Sequence, residues 1–422
     1  MTIIDRAKAF VNRLRHPPDP ALCPHCGYRY TKRHRTYRVT VRDLGGVRYE
    51  ARQRYYCHRC RKTYTPEDPQ RARYQRYSRR VQRKALDMCL HLEVSLRRVA
   101  EWLRAEITPT SGRARIWDPQ LPDQQPPHPQ ARLHHTTVWR WQRRVSRRWR
   151  QQQQLTPAVW AGVVWAGRLV GDATGILIRG VQTTLHLIAV AGSGVIVAMQ
   201  LLQVETRAAV RRAFQQALTA LAARWSDWTD LMSDGAAVYA ELLRWDAPHV
   251  RAHRCLSYLW RNLGSRLQQY KAVQGEAAAA ALRIALHLVW DAVDLAEARD
   301  ALRGVAELWA EDVAVQEIVL WMQPTLAAVM APTALEGMVR TTNDAELRFE
   351  RYKRRYRAMH SGFMSGEGAE SWHDLWMVYA NWEPAQVRHE RKRQYRQPPG
   401  QTLLARGGLE VQGTCWLDPL AV

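Results

Sequence analysis

In the second half of the chain the spacing of apolar residues switches repeatedly between the alternation of a strand and the three- and four-residue steps of a helix. Residues 163–174, 182–190 and 194–203 are β-rich runs separated by glycine-bearing turns, which predicts three consecutive strands. Thr206 then opens an amphipathic helical run that reaches residue 224. After it, residues 230–235 predict a short strand ending in a turn, 236–243 a helix and 249–255 another strand. Helical spacing holds throughout 276–336. A last helix is expected over 368–382, with Trp372, Trp376 and Trp382 packing on the sheet rather than stacking on bases. The expected fold class is therefore α/β: a mixed sheet interrupted by a helical insertion.

The first third is patterned differently. Residues 35–41 and 47–56 alternate around Gly45-Gly46 and predict a β-hairpin. From Ser78 onward, Val81, Ala85, Met88, Cys89 and Leu92 recur at helical steps, and Ser95 caps a second run through Leu96, Val99, Ala100 and Leu103. Residues 107–133 hold six prolines and read as a long loop. Thr136 or Thr137 then caps a third helix over 138–149, carrying Arg140, Arg143, Arg144, Arg147, Arg148 and Arg150. As the second helix of a helix-turn-helix it would lie in a major groove. Such motifs have a turn of three or four residues, so a basic helix that tracks phosphate is the alternative. Either binds DNA, and only the first reads bases.

Charge sharpens that division. Of a net +24 over 422 residues, residues 1–150 carry 35 Lys/Arg against 12 Asp/Glu, while 151–422 are close to neutral. The front third is the footprint of a polyanion partner, double-stranded nucleic acid above all. The N-terminus lacks the basic region, apolar core and cleavage site of a signal peptide, and the longest apolar-looking stretch, 158–167, is too short for a bilayer. A cytoplasmic, nucleoid-associated protein with no membrane segment is expected. Residues 276–336 hold ten acids against three bases, so packing or dimerisation is expected of them rather than phosphate contact.

Four of the seven cysteines form two knuckles, Cys23-Pro-His-Cys26 and Cys57-His-Arg-Cys60, leaving Cys89, Cys255 and Cys415 single. Two matched CxxC pairs suit a structural Zn²⁺ ion better than a redox dithiol. The same module is crowded with Arg29, Arg33, Arg35, Arg54, Tyr55 and Tyr56, which offers phosphate contacts and flat rings; cross-strand packing competes for the tyrosines.

Three acids stand out in the second half. Asp172 lies within the first expected strand, Asp234 ends the fourth and is followed by Gly235, and Glu346 closes Thr341-Thr342-Asn343-Asp344-Ala345-Glu346. Carboxylates beside cations suit divalent-metal chemistry on phosphodiesters. Asp227 and Asp230 are rivals of Asp234, and Glu350, one turn on, is the rival of Glu346. Turn chemistry is the ordinary explanation of any one aspartate at a strand end; only the set suggests a metal site. Arg348, Arg351, Lys353, Arg354, Arg355 and Arg357 continue the last motif as a basic run able to neutralise phosphate.

Val170-Gly171-Asp172-Ala173-Thr174, Ser233-Asp234-Gly235-Ala236 and the Thr-Thr-Asn-x-x-Glu string, in this order of elements, resemble the DDE transposases of bacterial insertion sequences, and the last string their Mutator-like group. The two cysteine knuckles resemble those at the front of other insertion-sequence transposases. His253-Arg254-Cys255-Leu256-Ser257-Tyr258 departs from the Mutator-like pattern, with tyrosine where Cys-x-x-His has its histidine, and leaves Cys255 as an expected core cysteine. The resemblance implies an RNase H-like core over 156–258 and 338–385, a helical insertion over 259–337, a zinc ribbon over 1–70, a helical DNA-binding region over 71–155 and a tail over 386–422. It further implies that Asp172, Asp234 and Glu346 hold two Mg²⁺ or Mn²⁺ ions, and that a homo-oligomer acts on transposon ends and target DNA. A domesticated, non-catalytic DNA binder and a metal-dependent nuclease are the rival readings.

Overall fold

The computed structural model describes residues 22–28, 31–66, 76–90, 92, 94–107, 133–335, 338, 342, 345, 348–349, 352–353, 363–382 and 402–409, with the backbone alone at 38, 48, 49 and 334. Glu346, Glu350, Arg351, Arg354, Arg355 and Arg357, the six prolines of the expected loop and most of the expected tail lie outside these residues. The chain divides into two compact units, Met1–Trp141 and Gln142–Ala421.

In the first unit, β1 (Thr31–Asp43) and β2 (Gly46–Cys57) form an antiparallel ribbon that turns at Gly45 and Gly46, both at positive φ. Both strands are longer than the alternation suggested, and β3 (Thr63–Tyr64) adds a third that was too short to show. At the turn end, the Ser78 hydroxyl donates to Asp43 and accepts from the N–H of Val81, capping α1 (Arg79–Leu90). The Gly45 N–H donates to the carbonyl of Glu106 in α2 (Leu96–Ile107). Leu92 falls beyond α1 and is exposed, correcting its assignment to that helix. The third helix, α3 (His135–Leu155), starts earlier and runs longer than expected. Its cap is His134, whose ring Nδ1 accepts from the Thr136 N–H; Thr136 and Thr137 sit within the first turn.

The second unit is built on a five-stranded sheet in the order β6-β5-β4-β7-β8. It comprises β4 (Arg168–Ile178), β5 (Val181–Val190), β6 (Ile196–Leu202), β7 (Asp230–Ser233) and β8 (Arg251–Arg254). The first three are antiparallel neighbours, and β7 and β8 run parallel to β4. The first strand begins five residues later than its apolar run, because Ala166 and Gly167 both turn through positive φ. Helix α4 (Arg207–Ala220), capped by Thr206, joins β6 to β7, and α5 (Ala237–Trp245) joins β7 to β8. Gly171 opens one sheet face to them: a Cβ there would stand 3.2 Å from both Phe214 of α4 and Tyr239 of α5.

The insertion is a bundle of α6 (Leu256–Gln274), α7 (Glu276–Asp291), α8 (Leu295–Leu308) and α9 (Val313–Met330) around one core of Leu263, Leu286, Leu302, Met322 and their neighbours. Residues 313–333 are long and apolar enough to cross a membrane by length and composition, which corrects the reading of 158–167 as the longest such stretch. Val315, Ile318, Met322, Leu326 and Val329 of this segment are buried in the bundle. Helix α10 (Gly366–Trp382) packs on β6, with Trp372 and Trp376 buried and the Trp382 ring 6.0 Å from Trp160, as expected of core tryptophans. The buried Asn381 side chain accepts from the N–H of Ile196 and donates to its carbonyl, both at 2.8 Å, completing the edge strand as a neighbouring strand would.

Asp230 opens β7, at the opposite end from Asp234, and is fully buried. It accepts from His253 Nε2 at 2.7 Å, Arg251 at 2.9 Å and Thr229 at 2.8 Å. Burial works to raise its carboxyl pKa, but these donors outweigh it and the net shift is downward. Asp230 is thus a structural anchor between β7 and β8. Asp230→Asn is expected to destabilise the protein by about 3–5 kcal/mol, as removal of one partner of a buried ion pair does. The depressed carboxyl contributes fully above its unfolded pKa and loses that contribution as pH falls through the folded one. Urea midpoints should therefore fall less steeply with acidification below about pH 3.8 in the variant than in the parent. Equal midpoints at pH 7 would refute the anchor.

Candidate functional site

At the far end of the ribbon from its turn, the four knuckle cysteines converge. Cys23 and Cys60 sulfurs are 3.6 Å apart, as are those of Cys26 and Cys57. A tetrahedron of ~2.3 Å Zn–S bonds has sulfur–sulfur edges of about 3.8 Å, so the donors and their spacing fit zinc. Among the described residues these cysteines are the one group of three or more potential ligands whose atoms all lie within 4.8 Å of one another. The backbone N–H of Cys60 helps draw the Cys57 thiol down to about 7, while burial pushes Cys60 up to about 11. Tyr55 and Tyr64 stack at 5.7 Å beneath the knuckles and are core residues; Tyr56 is only half-buried.

The carboxylate site is assembled at the C-terminal ends of β4 and β7. Register pairs Val170 with Met232 at the end of the parallel pairing; Asp172 follows two residues later in β4, and Asp234 comes directly after the end of β7. Asp172 is buried and accepts from the N–H of Ala173; Asp234 is half-buried and accepts from that of Ala236 at 2.9 Å. Asp227 belongs to a surface turn, where it accepts from the N–H of Arg224. The structure thus separates Asp234 from both rivals. The space at Gly235, expected to admit a substrate backbone, is taken by Arg254, whose Nε would stand 2.5 Å from a Cβ there.

Three further residues at this site had no signal in the sequence. The Tyr239 hydroxyl, fully buried, is bonded to His186 Nε2 at 2.8 Å. Burial, then the charges of Asp172, Asp234 and Glu205, raise its pKa well above the ordinary value, so it stays protonated. Burial lowers His186 to about 4 and keeps it neutral. Glu205, on the loop after β6, is raised by desolvation and then by Asp234. This neutral pair lies on the α4–α5 face of the sheet, within electrostatic reach of both acids, and a third carboxylate lies within electrostatic reach of Asp234.

The third motif reaches the same end of the sheet through Cys255, which continues the β8 pairing by donating its N–H to Ser233. Both the N–H and the hydroxyl of Thr342 donate to the Cys255 sulfur at 3.2 Å. Cys255 is buried, as expected, and it also fastens the start of the motif beside Asp234. Downstream, Ala345, Phe349 and Tyr352 are helical and buried at three- and four-residue steps. The Tyr352 hydroxyl meets His373 Nε2 of α10 at 2.5 Å. Asp172 and Asp234 thus lie at the same end of the neighbouring strands β4 and β7, and Glu346 lies outside the described residues. Lys353 is half-buried, and Arg348, expected in a basic run able to neutralise phosphate, is buried.

On α3 the arginines divide. Arg143 and Arg147 both donate to Glu367, and Arg150 pairs with Asp374 at 2.6 Å and Glu370 at 3.0 Å. This ladder ties the helix to α10; Arg143 is half-buried in it, whereas Arg147 stays exposed. Arg140 and Arg144 are exposed and Arg148 half-buried.

No protein-family model matches the chain, and no curated protein matches it. Solved structures similar to part of it include the HTLV-2 integrase catalytic core domain in complex with magnesium. In its dimeric form that core is 19% identical, with 26% of this chain covering 76% of it at a TM-score of 0.19. In the trimeric form the figures are 17% identity, 42% and 95% coverage, and 0.20. The simian T-cell lymphotropic virus intasome in complex with PP2A regulatory subunit B56 gamma is 16% identical, with 28% and 46% coverage at 0.20. Scores this low carry no weight; the fold rests on the strand order and register above.

Proposed function

We propose that this chain is a DDE-type DNA transposase with an RNase H-like core. It would cleave a phosphodiester at each transposon end and join the freed 3′-hydroxyl to target DNA. What supports this reading is that Asp172 and Asp234 lie at the same end of the neighbouring parallel strands β4 and β7, with Thr342 of the third motif bonded to Cys255 just after β8. Carboxylate oxygens are the hard donors that Mg²⁺ or Mn²⁺ prefers. Asp172, Asp234 and Glu346 would hold two such ions, which when bound activate water or a 3′-hydroxyl and stabilise the leaving oxygen.

The chain's own part is positioning. Asp172 is held by its strand and by the Ala173 N–H, and Asp234 by the Ala236 N–H, so both carboxylates present fixed oxygens. Protonated Tyr239 and neutral His186 lie within electrostatic reach of the acids without adding charge. Arg140, Arg144 and Arg148, with Arg351, Lys353, Arg354 and Arg355, would meet the DNA backbone in a cytoplasmic, nucleoid-associated homo-oligomer.

The test is incubation of the protein with the duplex ends that flank its gene, a labelled target duplex and Mg²⁺ or Mn²⁺, scoring cleavage and joining separately. Metal-dependent cleavage followed by joining supports a transposase. Cleavage without joining assigns a nuclease, and DNA binding without either assigns a non-catalytic relative. Glu346→Gln and Glu350→Gln identify the third ligand: loss with the first alone selects Glu346.

A further inference from the structure

The β1–β2 ribbon carries an irregularity whose effect is to gather charge. Register runs Lys32 to Tyr56 and Arg33 to Tyr55, then skips: Arg35 pairs with Arg54, leaving His34 as one extra residue. Were His34 regularly paired, Lys32 and Arg35, three positions apart, would face opposite sides of the ribbon. With the bulge they share one face, together with Tyr56, Arg54, Tyr37 and Arg52. The opposite face at this end carries Tyr55 and Cys57, packed with Tyr64 and Cys23. One side of the ribbon is therefore its small core, and the other a row of cations and rings.

That row is organised. Lys32 lies 5.6 Å from the Tyr56 ring and Arg54 5.3 Å from the Tyr37 ring, so each aromatic holds a cation over its face. The Tyr37 hydroxyl is tied to Thr65 at 3.1 Å. Lys32, Arg33, His34, Arg35 and Thr36 are all exposed. Among the described residues, Lys32, Arg35 and Arg54 have no carboxylate partner, whereas Arg52 is paired with Glu50 at 2.6 Å.

We infer that this bulged face is a duplex-DNA-binding surface that enters the major groove. The inference rests on the proposed action on DNA and assigns a surface distinct from α3. A two-stranded ribbon fits the ~12 Å major groove of B-DNA, while the deep, narrow major groove of A-form RNA excludes it. The cysteine knuckles at one end and the hydrogen bonds of Asp43 and Gly45 at the other hold the ribbon straight, which limits the ordering cost of binding.

Full-length protein is titrated into labelled duplex DNA across a salt series, with duplex RNA of the same sequence in parallel. The Lys32→Ala/Arg35→Ala/Arg54→Ala variant is expected to bind duplex DNA about 10- to 100-fold more weakly, with the log–log salt slope smaller by about 0.9 for each phosphate no longer neutralised. Deleting His34 removes no Lys or Arg and leaves Arg35 opposite Arg54 on the same face as Lys32, so it should keep binding near the parental value. Retention of one zinc per chain certifies a folded ribbon in each variant. Parental affinity and slope in the triple variant, equal affinity for duplex RNA, or no duplex-DNA binding by the parent would each overturn the inference. Ribbon-dependent binding in a parent that never cleaves would uphold it and sink the transposase reading alone.

Discussion

Asp172→Asn and Asp234→Asn are each expected to lower metal-dependent DNA cleavage by about 10³-fold or more, since loss of a metal ligand forfeits several kcal/mol of transition-state stabilisation. The substitutions suit the question because each aspartate uses Oδ1 to accept a backbone N–H, from Ala173 or Ala236, and an asparagine Oδ1 accepts the same bond. Fold and DNA affinity should therefore stay near those of the parent while the ligand charge is lost. The check is cleavage of flanking duplex ends at saturating Mg²⁺ and Mn²⁺, alongside circular dichroism and DNA binding. Folded variants that cleave at the parental rate would rule out the carboxylate pair as the reaction centre. Asp230→Asn is the matched contrast: it removes a neighbouring acid of the same strand and should change stability without a comparable loss in the folded protein's rate.

Removal of zinc should have the second large effect, on the first unit. Among the described residues, the core of the knuckle end is Cys23, Tyr55, Cys57 and Tyr64 with Cys26, Tyr28 and Cys60 packed against them, little apolar surface to offset the entropy of ordering the chain. Structural zinc sites supply on the order of 10–16 kcal/mol of apparent binding free energy, and that energy is folding energy. Cys57→Ser, or a strong chelator, is expected to unfold the knuckle end and to weaken duplex-DNA binding at least about tenfold. The Gln142–Ala421 unit, with its separate core, should keep its own unfolding transition. Elemental analysis should find one zinc per chain in the parent. A metal-free protein whose ribbon amides remain protected from hydrogen exchange would contradict the structural role.

Several features were legible because the physics that sets them is local. Two CxxC knuckles announce a metal site, since four thiolates in two tight turns have few other uses. Alternation marked β5, and Thr206, Ser78 and Ser95 marked helix starts, because a short side chain can cap only its own first turn. The order of strands and helices was likewise readable from changes of period. Local signals also failed in definable ways. Residues 163–167 are apolar enough for a strand, but positive φ at Ala166 and Gly167 bends them away. Thr136 and Thr137 are good caps by type, yet His134 takes that place.

The candidate site needed the tertiary structure because its members meet across strands far apart in sequence. No pattern along the chain brings the segments of Asp172 and Asp234 side by side; the parallel pairing of β4 with β7 does, and Asp230 lies at the other end of β7 as an anchor. Tyr239, His186 and Glu205 belong to the site only because α5, β5 and the β6 loop converge on it. The sequence by itself determined the four-cysteine cluster, the charge division and the element order, all set by residue type and near neighbours. The sheet register, the tether from Cys255 to Thr342, the engagement of Arg143 and Arg147 by Glu367 and the cation row made by the His34 bulge were decided only by packing between distant segments.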